Sequence, residues 1–118
     1  MTDDRPSEAP LPLKPAWLHI LLALADGPQH GYAVRAHVEE RTDGRIKLWP
    51  ATLYGSLRDL DEGGLIRETD GDVDPEDDDA RRRYSELTPR GRRILAAEAD
   101  RLQALVNTAR ASRALRNA

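Results

Sequence analysis

The chain has 118 residues and a formal net charge of −3; 39% of its residues are hydrophobic and 33% charged. That is room for one compact domain with a thin apolar core, which favours extra burial by self-association. The lack of cysteine excludes disulfides and thiolate metal sites. The longest apolar stretch, Ala16 to Ala25, is too short to cross a bilayer, so no membrane role and a soluble, cytoplasmic location are expected.

Residues 1–15, with Pro6, Pro10, Pro12 and Pro15, read as a flexible or extended arm, acidic and unlike a signal peptide. A first helix follows, with Trp17, Ile20, Leu21 and Leu24 at helical spacing and Asp26-Gly27-Pro28 as its stop. A second helix is predicted to start near Gln29 to Tyr32 and to run to about Arg41, with Ala33, Val34, His37 and Val38 on its apolar face and Thr42-Asp43-Gly44 at its end. Arg45-Ile46-Lys47-Leu48 reads as a short strand. Pro50 then suits the first turn of a third helix, which runs from about Ala51 to Glu62 and stops at Gly63-Gly64.

Leu65 to Thr69 and Arg82 to Leu87 read as two strands of a hairpin, joined by a solvated loop over 70–80. Thr88-Pro89 opens a last helix as N-cap and first-turn residue. Three helices followed by a β-hairpin make a mainly α fold, a winged helix-turn-helix over 16–88 with a long C-terminal dimerisation helix over 89–118.

Charge is distributed unevenly. From Glu68 to Asp79 there are eight acids and no base, whereas from Arg81 onward ten arginines face three acids. Local charge sets local potential, so the net value does not exclude a nucleic-acid partner. The acidic loop does not match a calcium loop, because Pro75 stands where a glycine turn is needed and Arg81 where a bidentate Glu belongs. No catalytic constellation and no cofactor motif is present, and an enzyme is not expected. His19 and His37 are expected in or near the core, and His30 at a turn.

At about 100° per residue, Leu53, Leu57 and Leu60 share the core-facing arc of the third helix. The opposite arc holds Ala51, Gly55, Arg58 and Glu62, with Tyr54 on its shoulder and Thr52 and Ser56 to the side. Small residues admit close approach to a groove, and a few long polar ones reach base edges and phosphates. Thr52, Tyr54, Gly55, Ser56 and Arg58 are therefore the candidate DNA contacts. The bland alternative is a merely solvated face on which Gly55 is incidental. Arg82 and Arg83, at the edge of the wing, either meet the DNA backbone or only solubilise the chain.

On the last helix Leu95, Ala99, Leu102, Val106 and Ala109 step by four and three, and Ile94 and Leu105 widen the stripe. The stripe packs on the first helix or on a second copy; its length favours a homodimer.

Several of these pieces occur together: His30-Gly31-Tyr32, Ala51-Thr52-Leu53-Tyr54-Gly55-Ser56-Leu57 with Leu60, Gly63-Gly64-Leu65-Ile66, Arg82-Arg83-Tyr84 and Leu87-Thr88-Pro89-Arg90-Gly91. In this order and spacing they resemble the PadR family of transcriptional regulators, over about Trp17 to Ile94. The resemblance implies a dimer that binds a palindromic operator, usually as a repressor relieved by a small-molecule effector. It implies the single-C-terminal-helix subgroup, with the third helix in the major groove and the wing beside it. The chain departs from the family in having Ser85 where a second aromatic is usual, and no tryptophan on the last helix. Trp17 either lines an effector pocket at the dimer interface or packs in the core. The rival reading is a winged-helix module that binds proteins rather than DNA.

Overall fold

The computed structural model describes residues 11–69 and 84–116. The elements run α1 (Pro15–Ala23), β1 (Gln29–His30), α2 (Gly31–Arg41), α3 (Pro50–Glu62), β2 (Ile66–Thr69), β3 (Tyr84–Leu87), α4 (Pro89–Ala111) and α5 (Arg113–Arg116). The fold is mainly helical, with a small antiparallel sheet of order β1-β3-β2. Ile66 faces Leu87 and Thr69 faces Tyr84 across one side of β3; Gln29 faces Ser85 across the other. The expected hairpin is thus a three-stranded sheet.

Gln29 and His30 form a third strand that the sequence does not announce, and α2 begins at Gly31, within the 29–32 range expected for its start. The alternating Arg45-Ile46-Lys47-Leu48 segment pairs with no strand. Its alternation survives as burial: Leu48 is buried and Ile46 packs on the core, while Arg45 and Lys47 face outward. Ser85, on the central strand between Gln29 and Glu68, is buried, so a small side chain occupies this site.

One core holds the helices together. Ile20, Leu21 and Leu24 of α1 and its C-terminal end meet Val34 and Val38 of α2, Leu53 and Leu60 of α3, Leu65 and Ile66, and Ile94 of α4. Glu98 is wholly buried on the same face of α4 as Ile94, one turn on. Its carboxylate accepts the Leu13 backbone N–H at 2.7 Å and the Arg101 Nε–H. The Arg101 hydrogen bond, helped by the Leu13 N–H, holds the Glu98 pKa below its usual value despite burial. This tie docks Leu13, itself buried, against the core, so the last residues of the expected arm are held in place.

Thr88 caps α4, its Oγ1 accepting the Gly91 N–H at 3.0 Å while its hydroxyl donates to the Gly64 carbonyl at 2.6 Å. Gly91 must be glycine here, because a Cβ would stand 2.0 Å from the Leu65 carbonyl oxygen. Beyond Leu102 every residue of α4 is exposed. No helix among the described residues is long and apolar enough to cross a membrane.

Candidate nucleic-acid interface

The outward face of α3 is set by what anchors its inward face. Leu53 and Leu60 are buried and Leu57 packs on the core, so Thr52, Tyr54 and Arg58 are turned to solvent. Gly55 and Ser56 are half-exposed between them. A Cβ on Gly55 would meet no atom within 4 Å, so the helix backbone lies open at this point. Among the described residues Arg58 has no ion-pair partner, leaving its guanidinium available to an external anion.

Tyr54 is 56% exposed but not loose. One edge of its ring rests on α2, where a Cβ on Gly31 would come within 3.3 Å of Tyr54 Cε1. The glycine of the His30-Gly31-Tyr32 motif thus seats the tyrosine. His30 caps α2 through Nδ1, which accepts the Ala33 N–H at 3.2 Å, and its ring stands edge-on to Tyr84 with centroids 5.5 Å apart. The ends of β1, β3 and α2 are locked together there, beside the seated Tyr54.

The other histidines divide. His19 is part-buried, with Nδ1 lacking a partner among the described residues, and desolvation, reinforced by Arg41, lowers its pKa from the ordinary 6.5. His37, expected in or near the core, is exposed, because the buried stripe of α2 runs through Val34 and Val38.

The remaining predicted residues are spread over three places. Arg82 and Arg83 lie outside the described residues, as does the 70–80 loop. On α4 the expected interface splits: Leu95 packs on the chain's own core and Leu102 is half-buried, whereas Ala99, Leu105, Val106 and Ala109 are exposed. Trp17 packs against the core with Lys14 Nζ 5.0 Å from its ring centroid. Sequence reasoning passed over Trp49, which is 60% exposed at the N-cap of α3, and Tyr32, 64% exposed. Trp49 was detectable as the outward member of the alternating 45–49 segment.

The three helices α1, α2 and α3, followed by a small sheet whose β2 and β3 form a wing, define a winged helix-turn-helix. Residues 20–97 match the PadR-like family of transcriptional regulators, and the chain belongs to that family. It is 42% identical over 84 residues to an uncharacterized 37.1 kDa protein in a Streptomyces fradiae transposon; that match covers 71% of this chain and 22% of the relative. The chain thus spans about a fifth of that relative's length. A PadR family transcription regulator from a hypervirulent Clostridium difficile has a similar structure, with TM-score 0.67 at 19% identity over 79% of this chain and 92% of that one. Bordetella bronchiseptica BpsR, whose DNA binding is regulated by 6-hydroxynicotinic acid, superposes with TM-score 0.61 at 22% identity, over 88% of this chain and 71% of that one.

Proposed function

We propose that the chain is a homodimeric repressor that reads a palindromic operator with α3 and is relieved by a small-molecule effector. The observation that carries this is the outward face of α3. Thr52, Tyr54 and Arg58 surround an open backbone at Gly55, on a helix anchored by Leu53 and Leu60. A face of this kind fits a major groove, with Arg58 reaching a base edge and Thr52 and Ser56 reaching phosphates. Arg82 and Arg83 are assigned to the DNA backbone on sequence grounds alone. α4 supplies the dimer contact through Leu102, Leu105, Val106 and Ala109, so the two α3 copies meet half-sites one helical turn apart, ~34–36 Å between centres. Kinship with a family of regulators supports a DNA partner. Effector relief is supported by the Bordetella neighbour; Trp17 of α1 packs on the core yet stays part-exposed, and that exposed part is assigned to the effector.

Selection of bound duplexes from a random pool, followed by titration over salt, tests the assignment. A palindrome whose halves repeat one turn apart, bound with an affinity that falls steeply as salt rises, is the expected result. Failure to bind any duplex at low salt would leave the protein-binding module.

A further inference from the structure

The segment leading into α3 carries chemistry that the operator-reading face does not use. In Arg45-Ile46-Lys47-Leu48-Trp49 the even-numbered side chains turn inward and the odd-numbered ones outward. Arg45, Lys47 and Trp49 therefore form one exposed row, continuous with the first turn of α3. From Arg45 to Arg58 there are three basic residues and no acid. Among the described residues neither Arg45 nor Lys47 has an ion-pair partner, and the Trp49 indole N–H has no acceptor.

Trp49 is 60% exposed, so a large apolar ring forgoes the burial it would gain elsewhere. It is also organised. The Arg35 guanidinium of α2 stands 5.9 Å from the ring centroid, and Arg35 Nε donates to Glu39 Oε1 at 3.4 Å. Glu39 is thereby engaged, and a cation is held beside the indole.

We propose that Arg45, Lys47 and Trp49, with Arg35 packed on the indole, form a second duplex-binding strip that grips the sugar–phosphate backbone beside the groove entered by α3. This rests on the DNA-binding assignment above. Basic groups supply charge without base selectivity, the indole face packs on deoxyribose, and its N–H donates to a phosphate oxygen. The strip anchors the N-terminal end of α3 and so fixes the depth at which Tyr54 and Arg58 work.

The test uses the full chain and two labelled duplexes, one selected from a random pool and one of random sequence, with binding followed by anisotropy across salt. Replacing both bases, Arg45→Gln and Lys47→Gln, should weaken both duplexes by the same factor. It should also flatten the slope of log affinity on log salt by about two, at ~0.9 per phosphate. Trp49→Ala should weaken both duplexes by roughly tenfold, with Trp49→Phe recovering part of the loss. In a Trp17→Phe background, where Trp49 is the sole tryptophan, duplex binding should shield its fluorescence from acrylamide. A wild type that binds its selected duplex tightly, with an unchanged slope in the double variant and Trp49 still fully quenched, overturns the strip and leaves operator reading intact. A wild type that binds neither duplex overturns both.

Discussion

Gly55 is the residue at which the proposed DNA-facing surface and a merely solvated one make different predictions. A glycine inside a helix costs about 1 kcal/mol relative to alanine, and here no neighbour within 4 Å requires it. Gly31 is the contrasting case, where a Cβ would press on the ring of Tyr54. Internal packing therefore explains Gly31 and leaves Gly55 to an external surface. Gly55→Ala should raise stability by about 0.5–1 kcal/mol in urea unfolding while weakening binding to the selected duplex. Arg58→Ala is the companion variant, and it should cost more on the selected duplex than on a random one. If Gly55→Ala gains stability and binds as tightly as wild type, no backbone approaches DNA at this position.

At the scale of elements, what was legible depended on whether a pattern is local. The helical period of Leu53, Leu57 and Leu60 fixes the orientation of α3 without reference to the rest of the chain, and the structure buries that side. β1 has two residues and exists by virtue of pairing with β3, some fifty residues away, so no local pattern announces it. Conversely, the alternation at 45–49 is real, but an alternating segment becomes a strand only where a partner edge is offered. In the sequence Glu98 counts only as a charge, because an ionisable residue on a helix reads as solvated; the structure places it four residues after Ile94 on the buried side of α4.

The least legible feature is the junction of the α3–β2 turn with the start of α4. There Thr88 binds Gly64, Arg90 Nε donates to the Gly63 carbonyl at 3.2 Å, and Gly91 lies against Leu65. It ties the end of α3, assigned to operator reading, to the helix assigned to dimerisation. Since the clash at Gly91 is with backbone, Gly91→Ala should destabilise by about 3 kcal/mol, and Thr88→Ala by about 1–2 kcal/mol through loss of the cap and the Gly64 bond. Chemical unfolding of both variants reads these values; an unchanged midpoint for Gly91→Ala would mean that the turn yields to the added methyl group.

For the whole molecule, the large exposed hydrophobic residues among those described fall into two groups. Tyr32, Trp49 and Tyr54 surround the α2–α3 face, whereas Leu105, Val106 and Leu115 lie at the far end of α4 and on α5. Apolar groups gathered this way on a small chain mark contact surfaces. α4 spans 23 residues, about 34 Å, and only its first half is held by the core, through Ile94, Leu95 and Glu98. A solitary helical extension is marginal in water, since helical stability in proteins comes mainly from packing an amphipathic face. A second copy of the same helix would cover it in an isologous contact. Leu105→Glu combined with Val106→Glu should therefore give a monomer in sedimentation. Because neither residue belongs to the core, the winged-helix domain should keep its fold, as judged by circular dichroism and unfolding of the core. The monomer should lose most of its affinity for a palindromic duplex, since each half-site is then bound without help from the other. A double variant that still sediments as a dimer would place the interface elsewhere on the molecule, and one that is monomeric yet binds the palindrome as tightly as wild type would separate dimerisation from operator reading.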